Sequence, residues 1–389
     1  MKSDYLIIFN GVIKPVGGQA GYIYNLRTSD YFTIISKKEQ LIKKSVIKLF
    51  LKRILPTIFI EYLGNIKQKN KFLNEFENYK TFYIQNIDSL RRSKTIHFHE
   101  TKALYYFYLF DKNLAKSKIL LLTSHNPVPT YIELFDRLIS IGVNKDISNL
   151  IKSKQLKMDV EAFKLANYIV FPNSGAVNPY KTFFFENNII INDKFKYILT
   201  GTEYLKPKIL KYKYREKYKI KEDIIVFGYI GRKNKIKGFD LFCECIDYFK
   251  ENKNVFFVSA GTGDIKYEGN SLRYLDIGWT DDPASFLESL DVLLVPNMDT
   301  YFDLGVIQAL SLGINIITTE TGGNLWFKDK EIVHLVNPNI RSLVNFISKY
   351  LDYSDIQYSK LNIINKFNKY FDTEVFAENY FKLYKSLKQ

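Results

Sequence analysis

Short runs of apolar residues recur along the chain and alternate with stretches in which apolar residues are three or four positions apart. In the first half the runs predict strands at 5–9, 31–36, 94–98, 117–124, 168–172 and 196–200. In the second half they predict strands at 225–230, 255–259, 292–296, 314–318 and 333–336. The helical spacing predicts helices at 20–27, 39–53, 71–90, 101–109, 130–140 and 158–166. This alternation is typical of an α/β fold with doubly wound parallel sheets.

The same pattern divides the chain into two α/β parts. Residues 204–222 are rich in Lys and Tyr and have weak periodicity, which predicts a linker. At 389 residues the chain suits two domains better than one. We expect Rossmann-like domains over 1–205 and 206–370. A final amphipathic helix is expected within 371–389, with Asp372 or Thr373 at its cap.

Loops that contain glycine or basic residues follow three strands of the second half. Gly231-Arg232 ends the first of these strands and Lys237 follows shortly after, while Gly261-Thr262-Gly263 follows the second strand. The third strand leads through residues 300–303 into a predicted helix start. Open α/β sheets bind ligands at the carboxyl ends of their strands. The two cations can reach a diphosphate from one side, and the backbone N–H groups of the helix start can reach it from the other.

This layout resembles the donor half of retaining glycosyltransferase family 4, the glycosyl transferases group 1. The family pattern is Gly-Arg, four residues, Lys-Gly, then Gly-x-Gly, then Glu-x7-Glu before a helix of small residues. The sequence matches the first two parts and has Thr300 and Gln308 in place of the two glutamates. The resemblance implies a GT-B fold, in which two Rossmann-like domains face a cleft and the last helix crosses back to the N-terminal domain.

The resemblance also implies an activity. The implied activity is that of a hexosyltransferase, which moves a sugar from a UDP- or GDP-linked donor. The transfer retains the configuration of the sugar and needs no metal. The expected acceptor is a glycan or lipid-linked oligosaccharide of bacterial surface polysaccharide synthesis. No cofactor is implied, because the nucleotide sugar is a substrate.

The resemblance assigns roles to individual positions. Arg232 and Lys237 neutralise the leaving diphosphate and His125 holds a sugar hydroxyl, which are the catalytic assignments. His99 and Asn126 are expected to contact the acceptor or the sugar. The expected donor-binding residues are Gly17, Gly18, Gly231, Gly261, Gly263, Thr280, Thr300, Phe302, Asp303, Leu304, Gly305 and Gln308.

The two missing glutamates leave two hypotheses open. Gln308 offers the ribose a neutral oxygen, which weakens binding by on the order of 1 kcal/mol. Asp303 stands where the family commonly has glycine, so its carboxylate is expected to point away from the diphosphate. The chain is either an active enzyme with altered donor contacts or a non-catalytic GT-B subunit that supports a partner glycosyltransferase. The pair Arg232 and Lys237 favours the enzyme. A nucleotide-sugar epimerase is disfavoured, because few acid/base carboxylates are present.

In the first half, Gly17-Gly18 precede a helix start and two histidines end strands. A glycine turn can bring backbone close to an anion, although by itself it is more often only a turn. A strand-end histidine is more often structural than catalytic. His97, His99 and Glu100 form a weak alternative metal site, which no second ligand cluster supports.

Charge and length set the expected partners and location. The net charge of +15 predicts an anionic partner, and no nucleic-acid-binding motif is present. Residues 37–71 interleave lysines with bulky apolar residues, which fits an anionic membrane surface or an ordinary surface helix equally well. No signal peptide and no spanning apolar run is apparent. With Cys243 and Cys245 as the only cysteines, we expect a cytoplasmic protein, peripheral at most to the inner face of the membrane.

Overall fold

The computed structural model describes residues 4–15, 18–27, 31–36, 74–191, 193–353 and 356–387. The chain forms two compact units. Unit 1 comprises Met1–Phe171, Tyr180–Lys196 and Asn379–Gln389, and unit 2 comprises Pro172–Pro179 and Tyr197–Glu378. Gly17, the helix expected at 39–53 and the basic stretch at 37–71 lie outside the described residues.

Unit 1 is built on a six-stranded sheet, and all six strands predicted for this half are present. In the sheet the strand order is β2-β1-β3-β4-β5-β6. The pairs β1–β2, β1–β3, β3–β4 and β4–β5 are parallel. Every residue of β3 and β4 is buried, as expected for strands covered on both faces. The strands are β1 Tyr5–Phe9, β2 Thr33–Ser36, β3 Thr95–Phe98, β4 Ile119–Leu122, β5 Tyr168–Phe171 and β6 Phe195–Tyr197.

Two helix predictions for unit 1 differ from the structure. The helix expected at 71–90 is two helices that meet at Asn86. The one expected at 158–166 begins much earlier, because the Asn144 side chain accepts a hydrogen bond from the Asp146 N–H at 2.8 Å and caps the helix. The described helices are Gly18–Leu26, Glu75–Gln85, Ile87–Arg92, Thr101–Phe110, Lys112–Lys116, Thr130–Ser140, Lys145–Leu165 and Lys181–Glu186.

Unit 2 has a second six-stranded sheet, of order β12-β11-β10-β7-β8-β9, with all its pairs parallel. The five predicted strands are present. The sixth strand, β9, was not predicted because it lies at the sheet edge, half-exposed, with Asp276 inside it. The strands are β7 Ile225–Ile230, β8 Val255–Ala260, β9 Tyr274–Gly278, β10 Val292–Val295, β11 Asn315–Thr319 and β12 His334–Val336.

The helices of unit 2 flank this sheet. Cys243 is half-buried and Cys245 buried on one of them, and both are free thiols. None of the described helices is long and apolar enough to cross a membrane. The helices are Lys211–Lys217, Phe239–Phe249, Pro283–Glu288, Leu304–Ser311, Ile340–Asp352 and Lys360–Tyr370, with 3-10 turns at Ser174–Tyr180 and Gly322–Phe327.

The segment expected as a linker, 204–222, is part of unit 2 and contains a helix. Arg215 of this helix is 3% exposed, donates to the Ser289 carbonyl at 2.9 Å and pairs with Asp291 at 2.7 Å. Burial raises the pKa of Asp291, but Lys211, the Val226 N–H and Arg215 outweigh it and the pKa is lowered. This helix is held by an ion pair as well as by apolar contacts. Its apolar residues therefore follow the helical spacing only weakly.

The last helix, Thr373–Ser386, begins where predicted. Asp372 caps it, since its carboxylate accepts from the Glu374 N–H at 2.8 Å. From residue 379 onward the helix belongs to unit 1. There the Tyr384 hydroxyl lies 2.8 Å from His97 Nδ1, and the Tyr380 hydroxyl is hydrogen-bonded to that of Tyr22. The expected return of the last helix to the N-terminal domain is thus confirmed.

Candidate functional site

The first set of site residues lies in unit 2, at the carboxyl ends of neighbouring strands. Strands β10, β7 and β8 are adjacent and parallel, so the loops that follow them leave the same edge of the sheet. Gly231 and Gly261 have φ values of 152° and 120°. A Cβ on Gly261 would lie 1.9 Å from the Gly231 carbonyl oxygen, and one on Gly263 2.2 Å from that of Lys233. The missing side chains let two loops pack backbone against backbone.

Lys237 and Asp303 are brought together by two loops of this edge. Lys237 Nζ lies 2.5 Å from Asp303 Oδ1, and Asp303 Oδ2 accepts a hydrogen bond from the Asn297 side chain. Each side chain of the ion pair keeps about a quarter of its surface exposed. The Asp303 carboxylate therefore turns toward one of the two cations expected to bind diphosphate, which differs from the expectation that it points away. Attraction between unlike charges in a half-buried position is the physical reason.

The loop that carries Lys237 is held tightly. The Lys237 N–H donates to Asn234 Oδ1 at 2.9 Å. Gly238 has a φ of 62°, and a Cβ there would lie 1.8 Å from the Pro296 carbonyl oxygen. Arg232 is exposed at the start of the loop, with its carbonyl accepting from the Tyr229 hydroxyl at 2.6 Å. The loop thus fixes the backbone of both cationic residues.

The helix Leu304–Ser311 starts beside the Lys237–Asp303 pair. Asp303 occupies the N-cap position with an extended backbone and no side-chain cap bond. The first N–H groups of a helix have no partner within the helix, so those of Leu304 and Gly305 can serve an anion. A Cβ on Gly305 would meet only Ile230, at 3.8 Å. Phe302 is buried against Phe327, with ring centroids 5.4 Å apart, which leaves only its backbone as a ligand contact.

Thr300 and Gln308, which replace the expected glutamates, have different surroundings. Thr300 is fully buried, and its hydroxyl has no hydrogen-bond partner among the described residues. The turn at Gly322-Gly323 encloses it, since a Cβ on Gly322 would lie 2.1 Å from the Thr300 carbonyl oxygen. Gln308 is half-buried one helical turn beyond Leu304. Only Gln308 presents a partly exposed side chain.

The loop after β9 holds Thr280 and a residue that we did not single out, Trp279. The Thr280 hydroxyl accepts from the Asp282 N–H at 3.1 Å and so stabilises the loop. Trp279 is 66% exposed, and its indole N–H donates to Asp281 at 2.8 Å. An exposed tryptophan is unusual enough to be a signal. Because β9 was not predicted, the sequence did not place Trp279 at the carboxyl edge of the sheet.

The second set of site residues lies in unit 1, at the carboxyl ends of the adjacent strands β1, β3 and β4. His99 and His125 follow β3 and β4, and His99 Nδ1 lies 2.7 Å from His125 Nε2. Their ring planes are inclined by 24°, with centroids 5.0 Å apart. Gln19, next to Gly18 at the helix start, donates to the His99 carbonyl. His125 has a φ of 66°, a strained conformation for a residue other than glycine.

The histidines of unit 1 are neutral at physiological pH. Burial lowers the pKa of His125 to about 3 and those of His97 and His99 well below the usual 6.5. His97 uses both ring nitrogens, each 2.8 Å from a hydroxyl, of Tyr384 and Thr123. Glu100 accepts from the Tyr79 hydroxyl at 2.7 Å. The described residues form no cluster of three metal-ligating side chains at this position.

Asn126 lies in the loop that continues from His125. Its side chain donates to the Thr130 hydroxyl at 3.0 Å. Its carbonyl lies 2.8 Å from the buried hydroxyl of Tyr180, which is also within 3.0 Å of the Val128 carbonyl. Tyr180 therefore holds the loop from the side of the core.

Residues 224–352, within unit 2, match the family described as Glycosyl transferases group 1. The O-antigen biosynthesis glycosyltransferase WclY of Escherichia coli is 33% identical over 117 residues, which are 28% of this chain and 32% of the relative. The Escherichia coli UDP-Gal:alpha-D-GlcNAc-diphosphoundecaprenol alpha-1,3-galactosyltransferase is 28% identical over 161 residues, 38% of this chain and 42% of the relative. The matched segment thus spans less than half the length of either relative.

Among solved structures, that of Anabaena HepE in complex with UDP and glucose resembles the chain over its whole length. The TM-score is 0.65 at 13% sequence identity, with 99% of this chain and 100% of HepE covered. At this identity the likeness shows a shared fold. The predicted α/β fold with two parallel sheets, the GT-B class, is thereby confirmed.

Proposed function

We propose that the protein is a glycosyltransferase that moves a sugar from a nucleotide-diphosphate donor to a glycan or lipid-linked acceptor in surface polysaccharide synthesis. The observation that carries this proposal is the arrangement of Arg232, Lys237 and the start of the helix at 304 on one sheet edge. This edge lies inside the segment that matches the glycosyl transferases group 1. The names of the two relatives, one for O-antigen biosynthesis and one for a diphosphoundecaprenol-linked acceptor, support a role in surface polysaccharide synthesis.

The proposed chemistry follows from charge. Departure of a nucleoside diphosphate builds negative charge on its oxygens, which Arg232 and Lys237 neutralise and the N–H groups of Leu304 and Gly305 stabilise. Two cationic side chains make the reaction metal-independent in this proposal. His125 holds a sugar hydroxyl, and the acceptor attacks from the face that the diphosphate leaves, with retention of configuration. UDP is the favoured nucleotide, because HepE was solved with UDP and one relative is named for UDP-Gal.

A specific observation favours a second candidate, a non-catalytic subunit that supports a partner glycosyltransferase. Lys237 is already paired with Asp303, and Thr300 is enclosed where the family has a glutamate. A subunit that does not bind a diphosphate does not need Lys237 to be available to a ligand at this sheet edge. Binding of a nucleotide separates the two candidates.

The experiment compares UDP, GDP and their common sugar conjugates by thermal shift and calorimetry. We expect UDP to raise the melting temperature, and Lys237→Met to lower its affinity by about tenfold, the equivalent of one charge-assisted hydrogen bond. Lys235→Met is the matched control, an exposed lysine of the same loop. If no nucleotide shifts the melting temperature, the non-catalytic candidate takes first place.

Action at the inner face of the cell membrane, through residues 37–71, is part of the proposal. The +15 net charge supports it. Co-sedimentation with anionic and neutral vesicles tests it. We expect recovery with anionic vesicles that falls as salt is raised, whereas background recovery with both kinds contradicts it.

A further inference from the structure

Lys233 links three neighbouring segments at the carboxyl edge of the unit 2 sheet. It belongs to the loop after β7, which also carries Lys237. Its backbone is joined to the loop after β8, since its N–H donates to the Thr262 carbonyl at 3.0 Å and its carbonyl accepts from the Asp264 N–H at 2.9 Å. Its side chain reaches β9, where Nζ lies 2.5 Å from Asp276 Oδ1. One residue thus joins the loop of Lys237 to both neighbouring segments.

The ammonium of Lys233 is buried, whereas its partner carboxylate is not. The side chain of Lys233 is 4% exposed and that of Asp276 is 44% exposed. The ammonium also lies over the ring of Phe239, 5.1 Å from the centroid, at the start of the helix that follows Lys237. A buried charge loses its hydration, and a well-packed apolar residue of similar size is often at least as stabilising. What the charge adds is a fixed arrangement, because it requires the Asp276 carboxylate beside it.

The Asp276 carboxylate carries this constraint to the loop after β9. Besides the Lys233 ammonium, its Oδ1 accepts from the Gly278 N–H at 2.8 Å and from the Ser259 hydroxyl at 3.3 Å. Gly278 turns the chain with a φ of 70°, and Trp279 follows it. The position of the carboxylate therefore sets the direction in which the chain leaves β9 toward Trp279.

We infer that Lys233 is a positioning residue, which holds the loop of Lys237 and the loop of Trp279 and Thr280 at a fixed separation. Because Lys233 is 3% exposed, it acts through these loops and not by contact with a ligand. A ligand that spans both loops then orders less of the chain when it binds. A nucleoside diphosphate is such a ligand, with its diphosphate at Lys237 and its nucleoside end at Thr280. This last step rests on the proposed function.

Hydrogen exchange of the ligand-free, full-length chain tests the inference without a nucleotide. Lys233→Met removes the charge and keeps the apolar stem, so the Gly278 N–H loses a fixed acceptor. We expect exchange at Gly278 to rise about fivefold, the equivalent of one lost hydrogen bond, while the buried strands β10 and β11 keep their protection. An unchanged rate at Gly278 would overturn the inference. An equal rise throughout unit 2 would also overturn it, because Lys233 would then only stabilise the fold.

Two further variants sharpen the exchange experiment. Lys235→Met is the matched control, because it removes the same charge from an exposed position of the same loop. It should leave exchange at Gly278 unchanged. Asp276→Asn keeps an oxygen for the Gly278 N–H but ends the ion pair, and should raise exchange there by less than Lys233→Met does. If Lys233→Met fails to fold, Asp276→Asn decides, and an unchanged rate in that variant overturns the inference.

Calorimetry with UDP and inorganic pyrophosphate adds a binding readout. UDP reaches both loops, whereas pyrophosphate reaches only that of Lys237. We expect Lys233→Met to raise the Kd of UDP by about tenfold, because more of the chain is ordered on binding, and that of pyrophosphate by less than about twofold. Equal losses for the two ligands would overturn the coupling of the loops. If the wild-type chain binds neither ligand, the proposed function fails, and hydrogen exchange still decides the role of Lys233.

Discussion

Lys237 is the residue at which charge and expected function meet most directly. It was expected to bind a diphosphate, and in the structure it is paired with Asp303 at 2.5 Å. A partly exposed ion pair contributes less than about 1 kcal/mol, so a doubly charged ligand can replace the carboxylate. Asp303 is then a competitor that lowers affinity without blocking the site.

Asp303→Asn should tighten UDP binding. Removal of the carboxylate frees Lys237 and ends repulsion of the diphosphate, and we expect Kd to fall about two- to fivefold. Calorimetry measures the change, with Asp299→Asn as the control from the same loop. Weaker binding in Asp303→Asn would show that the carboxylate instead orients Lys237 for the ligand.

Gln308→Glu tests the ribose assignment at a partly exposed position. A carboxylate makes charge-assisted hydrogen bonds to ribose hydroxyls that the amide makes only as a neutral group. The expected gain is about 1 kcal/mol, or roughly fivefold in the Kd of UDP. A clear loss of affinity, measured by the same calorimetry, would mean that Gln308 does not contact the ribose.

At the scale of loops and helices, glycines decide how the ligand edge of unit 2 is built. Gly238 and Gly261 have positive φ and touch backbone of the neighbouring loops. Their role in the fold is separate from any contact with a nucleotide. Gly305, in contrast, sits in a helix with open space around its Cα.

Gly238→Ala and Gly305→Ala form a matched pair for this difference. The first forces a Cβ to within 1.8 Å of the Pro296 oxygen in a left-handed conformation, and should destabilise unit 2 by more than about 1 kcal/mol. The second should be neutral or stabilise by up to about 1 kcal/mol, since alanine favours a helix. Urea unfolding of both variants measures the effects. Equal effects would mean that the loop at Gly238 adjusts freely.

Elements with strong apolar patterns were predicted well, and the failures have a common cause. The buried strands of both sheets read as continuous apolar runs, which mark them locally. The edge strand β9 and the helix Lys211–Lys217 have mixed sequences, and contacts with distant residues stabilise them. The boundary expected after residue 205 remains a prediction, while the contacts assign Tyr197–Glu378 to unit 2.

At the scale of the whole molecule, the four histidines are distributed unequally. His97, His99 and His125 lie in unit 1, and His334 alone lies in unit 2. Burial lowers the pKa of each, to about 3 for His125 and about 4 for His334. When the pKa of a histidine is lower in the folded state than its unfolded value of about 6.5, the folded protein keeps its full stability above about pH 6.5. As the pH falls below that value, the unfolded state binds the proton more readily and the folded protein loses stability.

Unit 1 should therefore be the more acid-sensitive unit. Between pH 7.5 and 5 the loss is about 2 kcal/mol for His125, whose pKa is about 3. His97 and His99, whose pKa values burial also lowers, act in the same direction. Asp159 acts in the opposite direction, because burial raises its pKa to about 6. Its protonation over the same pH range stabilises the folded state by about 1 kcal/mol. Hydrogen exchange followed by mass spectrometry, at matched chemical exchange rates, reports each unit separately. Equal loss of protection in both units would contradict the prediction.

Local periodicity and motif spacing were sufficient for the α/β class, for eleven of the twelve described strands and for the positions of Arg232, Lys237, His99 and His125. This is possible because buried parallel strands and the loops after them leave a signal in consecutive residues. Three contacts were not predicted: the Lys237–Asp303 ion pair, the enclosure of Thr300, and the hydrogen bond between His99 and His125. Each joins residues far apart in the chain, and their distances and orientations are set only when the strands align and the loops pack against one another.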